Sequence, residues 1–207
     1  MKVLVIGAAG RTGKAVVERA IAAGHQVTAF VRDAGELDIG GVRVVEGDAT
    51  NENAVEAAIR DQDAVLDTVG GTTPYKQTTL ETSVAKAVIV AMERNGVRRL
   101  VATSMLGVGE SKANATFYER LLVSTLLRGA DKDKSAMEAE IKASALEWVV
   151  VRPAILTDDP ASGRVRVFSE DDGEKAHKIS REDLAAFMID QLSSDEHLRR
   201  SVTIASS

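Results

Sequence analysis

Apolar positions along this chain fall into two alternating rhythms. Val3-Leu4-Val5-Ile6 is an unbroken apolar run, the pattern of a strand buried on both faces of a parallel sheet. A helical period follows. Val16 with Ala20, and Val17 with Ile21, share one face, and Gly24 closes the helix. Further strands are predicted over 25–31, 42–46, 63–69, 98–102 and 147–151. Helices are expected over 51–59, N-capped by Thr50, and over 80–95, closed by Gly96. Residues 72–79 read as a polar loop. Helical patterns over 116–128 and 132–144 flank a break at Gly129-Ala130-Asp131. A strand at 165–168, a helix over 180–192 capped by Ser180-Arg181-Glu182-Asp183, and a strand at 202–205 complete the pattern. Strand and helix take turns throughout, which predicts an α/β fold built on a doubly wound parallel sheet. Residues 1–207 form one domain, with 153–207 contributing a small C-terminal lobe on the substrate side.

Between the first strand and the first helix lies Gly7-Ala8-Ala9-Gly10-Arg11-Thr12-Gly13. A G-x-x-G-x-x-G run alone marks only a tight turn. Here it follows a strand, opens a helix and precedes a second strand, the context of a dinucleotide-binding loop. Gly7 then allows the turn, Gly10 lets backbone approach a pyrophosphate, and Gly13 lets the helix pack closely on the strand. The helix N-terminus presents free N–H groups to the phosphates.

The other strand ends carry the remaining candidates, because such sheets bind ligands there. Arg32 lies nineteen residues after Gly13, where an arginine accommodates a 2′-phosphate and an acidic residue binds the ribose hydroxyl. Arg11 is a second candidate for that phosphate. Asp33 is either the ribose ligand or a turn cap in Asp33-Ala34-Gly35-Glu36. Arg32 favours NADP(H) over NAD(H). Asp48 and Ala49 follow the third strand, where the Asp48 carboxylate can face adenine or cap the next helix. Val69, Gly70 and Gly71 leave the fourth strand beside ribose or pyrophosphate. Asp67, inside that strand, needs a partner or a local cap. Ser104 and Met105 after the fifth strand, with Pro153, Ala154 and Ile155 after the sixth, are expected to line the nicotinamide and substrate pocket. Ser104 can also be a simple turn cap.

Composition narrows the function classes. The net charge is −5 with no basic tract, which argues against nucleic acid as a partner. No cysteine is present, excluding disulfides and thiolate chemistry. An N-terminus that reads as a core strand, and no long apolar run, imply a cytoplasmic protein without a membrane partner. Aromatic residues make up only 3%, so a flat ligand must be gripped by aliphatic and methionine side chains.

Carbonyl reduction by hydride needs a positioned proton donor. The usual pair is a tyrosine four residues before a lysine on one helix. Tyr75 is followed at that spacing by Thr79 and Tyr118 by Leu122, while Lys134 is preceded by Ala130. Missing that pair, the sequence points to conjugated acceptors, whose reduced anion is delocalised, or to a cofactor sensor without chemistry.

The chain resembles the atypical short-chain dehydrogenase/reductases, NmrA-like and closest to the biliverdin-IXβ reductase/flavin reductase type. The likeness rests on residues 7–13, Val31-Arg32-Asp33, Gly47-Asp48-Ala49, Thr103-Ser104, Val151-Arg152-Pro153 and Ile179-Ser180-Arg181-Glu182-Asp183-Leu184. The resemblance implies a Rossmann fold, NADP held by the glycine loop and Arg32, and Ser104 beside the nicotinamide. It implies an NADPH-dependent reductase of flavins, quinones or related small-molecule acceptors such as tetrapyrroles, or a non-enzymatic NADP sensor acting through a protein partner. Nucleotide-sugar chemistry is disfavoured by the short terminal lobe. Residues 105–135 and 156–178 depart from the family pattern, which leaves the substrate open.

Overall fold

The computed structural model describes residues 1–71, 78–116, 121, 128–169 and 174–206. The expected alternation holds. In chain order the elements are β1 (Lys2–Ile6), α1 (Arg11–Ala22), β2 (Gln26–Val31), β3 (Arg43–Glu46), α2 (Glu52–Ile59), β4 (Ala64–Asp67), α3 (Leu80–Asn95) and β5 (Arg99–Thr103). Then come α4 (Arg128–Ala143), β6 (Glu147–Pro153), β7 (Ile155–Thr157), β8 (Val165–Phe168), β9 (Lys178–Ser180), α5 (Arg181–Asp190) and β10 (Arg200–Ser206). Eight strands form one sheet in the order β3-β2-β1-β4-β5-β6-β10-β8, parallel except where β8 runs against β10.

The doubly wound character follows from the period of two along β1. Val3 and Val5 pack with Val16, Val17 and Ala20 of α1 and with Leu184 and Met188 of α5. Leu4 and Ile6 point the other way, into Val55 and Ile59 of α2, Val84 and Met92 of α3, and Met137 and Ile141 of α4. A strand apolar on both faces is therefore covered on both faces. The strand order reverses at β1, between β2 and β4, and that is where crevices open in such sheets.

Residues 153–206 divide. β10 and β8 extend the main sheet and α5 packs beside α1, while only β7 and β9 form a separate two-stranded ladder. The break expected at Gly129-Ala130-Asp131 is absent, since α4 runs straight through it. A glycine inside a helix costs only about 1 kcal/mol, less than α4 gains by burying Met137 and Ile141. Asn51, rather than Thr50, caps α2, accepting from Asn53 and Ala54 amides at 3.0 and 3.3 Å. Most of the loop expected at 72–79 and of the helix expected at 116–128 lies outside the described residues. No helix among the described residues is long and apolar enough to cross a membrane.

Candidate functional site

The glycine loop has the geometry its spacing predicts. Gly7 sits at φ +76°, a left-handed conformation, and a Cβ there would lie 3.0 Å from the Val69 amide nitrogen. A Cβ on Gly13 would collide with the Gly7 carbonyl and come within 2.8 Å of Ala8 Cα, so helix and strand meet only because Gly13 has no side chain. Gly10 is the N-cap of α1. No side chain accepts from the first turn, and no acidic residue lies in it. Free N–H groups and the positive end of the helix dipole are thus left for an anion. A Cβ on Gly10 would touch only the Gly7 carbonyl, at 3.3 Å, and otherwise open space.

Two cavities adjoin across the exit of β4. The first, ≈ 250 Å³, is walled by Gly7, Gly10, Phe30, Arg32, Glu36, Asp48, Ala49, Leu80 and Val84. The second, ≈ 290 Å³, is walled by Thr12, Thr103, Ser104, Met105, Lys134, Pro153, Ala154, Leu156 and Leu184. Thr68, Val69 and Gly70 line both, so one loop separates and joins them.

Around the first cavity, Arg32 and Asp48 line the wall as expected. The Asp48 carboxylate is also engaged locally. Its Oδ1 accepts from the Thr50 amide at 2.9 Å and hydroxyl at 2.8 Å, and these bonds, with a smaller contribution from Arg32, hold it below the usual carboxylate range. Asp33 is the turn cap: its Oδ1 accepts from the Gly35 amide at 2.8 Å and it does not line the cavity. Arg11 lines neither cavity and instead pairs with Asp158, which Arg181 also holds, at 2.5 Å. Gly71 too lies off both walls, its amide donating to Glu81 Oε1 at 3.0 Å.

Beneath the second cavity lies a buried ionic layer. Arg152, 1% exposed, donates from Nε and a terminal nitrogen to the Glu138 carboxylate at 2.9 and 2.6 Å, and also reaches Glu110 at 2.8 Å. Burial pushes Glu138 up, but Arg152, with the Ser104 hydroxyl and Lys142 adding, holds it below its usual value. Ser104 is buried and its amide donates to the Val151 carbonyl at 2.7 Å. Its hydroxyl faces Glu138 without closing a hydrogen bond of normal length. Ile155 does not line the cavity. It is 55% exposed on β7, and the next residue, Leu156, turns inward, as strand alternation requires.

A model of the family described as NAD(P)H-binding matches residues 7–195. The chain belongs to the NAD(P)H-binding family. A chloroplast protein of Arabidopsis thaliana is 28% identical over 216 residues, covering 98% of this chain and 76% of its own. Among solved structures, ChuY from Escherichia coli O157:H7, described as an anaerobilin reductase, superposes with a TM-score of 0.81 at 24% identity, covering 100% of this chain and 97% of that one. A short-chain dehydrogenase/reductase from Veillonella parvula in complex with NADP superposes with a TM-score of 0.82 at 19% identity, covering 99% and 94%. These two likenesses carry the fold. The atypical, NmrA-like short-chain resemblance and a nicotinamide dinucleotide cofactor agree with this family.

Within this NAD(P)H-binding fold, Lys134 is the residue that sequence reasoning set aside. Lys134 lines the second cavity, and its ammonium lies 3.2 Å from Glu81 Oε1 and 3.4 Å from the Thr103 carbonyl. The sequence carries one signal for it: a lysine on the helix before β6, with Ala130 in the place of the usual tyrosine. Tyr75 and Tyr118 lie outside the described residues. Asp67, whose partner was unassigned, accepts from the Val69 amide at 2.9 Å. Burial raises its carboxyl to about 6, against that amide bond and the Lys134 charge.

Proposed function

We propose that this protein is an NADPH-dependent reductase that passes hydride to a flavin, quinone or similar conjugated acceptor. The observation that carries this reading is the pair of adjoining cavities, one ending at Arg32 and the other holding a buried ammonium beside Ser104. Gly7, Gly10, Thr12 and Gly13 with the N-terminus of α1 would hold the pyrophosphate. Arg32 would pair with the 2′-phosphate, a role supported by Asp33 being committed to its turn. Asp48 and Ala49 would flank adenine.

When bound, the reduced dinucleotide supplies hydride. The protein's part is to hold ring and acceptor together in a cavity walled by Met105, Pro153, Ala154, Leu156 and Leu184. Lys134 then offers a positive charge, and a proton, to the anion that hydride addition creates. Delocalisation lowers the demand on a donor, and Lys134 is placed to meet what remains. The neighbour described as an anaerobilin reductase supports an extended conjugated acceptor.

The test is NADPH oxidation with riboflavin phosphate, a naphthoquinone and a linear tetrapyrrole, each against a simple aldehyde. Turnover of at least one conjugated acceptor, faster than the aldehyde, is expected. Tight NADPH binding with no turnover of any acceptor would instead establish the sensor reading.

A further inference from the structure

We propose that Asp67, Glu81 and Lys134 set the reducing power of a nicotinamide bound in the second cavity, by presenting an excess negative charge that favours the oxidised, cationic ring. This rests on reading that cavity as the nicotinamide pocket. It goes further by assigning two carboxylates that play no part in binding phosphate or acceptor.

Three observations converge on the cluster. Glu81 and Asp67 are buried, 3% and 4% exposed, and Lys134 is 8% exposed on the cavity wall. Two carboxylates thus accompany one ammonium, and a dry setting leaves the surplus charge poorly screened. Glu81 Oε1 serves both the Lys134 ammonium, at 3.2 Å, and the Gly71 amide, at 3.0 Å, while its buried Oε2 meets no partner among the described residues. Asp67 Oδ1 holds the Val69 amide. Both carboxylates therefore anchor the segment around Val69 and Gly70, which line both cavities, and this brings their charge close to whatever that segment touches.

The surplus charge depends on pH. Burial raises the Asp67 carboxyl to about 6, so the cluster gains one negative charge as pH rises through that value. The charged groups facing Asp67 are Glu81 from α3 and Lys134 from α4. Ile6 of β1 and Thr103 of β5 face it without charge, and Asp133 on α4 is turned to the amides of Glu81 and Thr82. Loss of hydride, two electrons and one proton passing together to the conjugated acceptor, converts a neutral ring into a cation. A neighbouring negative charge lowers the energy of that cation, so the cluster makes the bound cofactor a stronger donor as pH rises.

Binding, without turnover, tests this. Dissociation constants for NADP+ and NADPH are measured by calorimetry at pH 5.5 and pH 8 on the parent protein, Asp67→Asn and Glu81→Gln. The phosphates are common to both redox forms, so their titration cancels in the ratio Kd(NADPH)/Kd(NADP+). In the parent that ratio should rise by about threefold or more between the two pH values. A tenfold rise would correspond to about 30 mV for the two-electron couple. Asp67→Asn keeps an acceptor for the Val69 amide and should hold the ratio at its acid value. Glu81→Gln should lower the ratio at both pH values and keep the rise. A flat ratio in the parent, or a full rise in Asp67→Asn, overturns the proposal. If neither nucleotide binds the parent, the dinucleotide reading beneath it fails. Should Asp67→Asn not fold, an unchanged ratio in Glu81→Gln is sufficient to reject it.

Discussion

The carboxylate of Asp133, on α4, closes the N-terminus of α3 at Thr82. Its Oδ1 accepts from the Thr82 amide at 3.0 Å and hydroxyl at 2.7 Å, and its Oδ2 from the Glu81 amide at 3.1 Å. Thr79, the N-cap of α3, makes no side-chain capping bond among the described residues, so the cap is borrowed from another helix. The same contact fixes Glu81 and Lys134, which flank it. Asp133→Ala should cost about 1–3 kcal/mol, as for a lost cap with charge-assisted bonds. Urea unfolding checks this, and a loss below about 0.5 kcal/mol would show that water replaces the carboxylate.

Asp67 gives a stability prediction with a definite sign. Its folded carboxyl is raised from 3.8 to about 6, chiefly by burial. The stability it contributes is full below the unfolded value and lost as pH rises through about 6. The loss is on the order of 3 kcal/mol by linkage. Asp67→Asn should therefore match the parent near pH 4 and exceed it at pH 8. Denaturant midpoints across that range decide the matter, and a variant less stable than the parent at pH 8 would contradict it.

What was legible in the sequence is what local pattern dictates. The unbroken apolar run Val3-Leu4-Val5-Ile6, the glycine spacing and the strand-end positions of Arg32, Asp48 and Ser104 each follow from chain geometry, and the fold puts these three residues on the cavity walls. The misses are long-range. Nothing near Arg11 announces Asp158, and nothing near Lys134 announces Glu81 or the Thr103 carbonyl, because those partners come from elements brought together only by the sheet. Ile155 against Leu156 was a parity error. One residue of register along β7 exchanges the inward side chain for the outward one.

Cofactor preference separates the two arginines. Arg32 lines the first cavity, whereas Arg11 is committed to Asp158. NADPH should bind at least tenfold tighter than NADH, about 1.4 kcal/mol. Arg32→Ala should erase most of that gap, since a charge-assisted contact contributes roughly 1.5–3 kcal/mol. Arg11→Ala should leave it within about twofold, because that side chain's charge is already met on the surface. Calorimetry with both nucleotides on all three proteins distinguishes these outcomes. Equal affinities in the parent would remove Arg32 from the site.

The last prediction concerns Ser104 and Lys134, which share the second cavity but differ in what they can give. Ser104 faces a carboxylate that Arg152 already satisfies, so its hydroxyl is a positioning group with little proton to spare. Lys134, on the wall of the same cavity, bears protons on a buried nitrogen held by Glu81 Oε1 and the Thr103 carbonyl. A positioned acid contributes typically 10²–10⁴-fold, whereas a positioning contact contributes less. Ser104→Ala should therefore lower kcat by no more than about tenfold, and Lys134→Met by about a hundredfold or more with a quinone acceptor. NADPH affinity should stay nearly intact in Ser104→Ala. Pre-steady-state hydride transfer followed in the three proteins reads both effects. If Ser104→Ala proves the more damaging variant, the proton passes through the hydroxyl and Lys134 serves only to hold Glu81 in place.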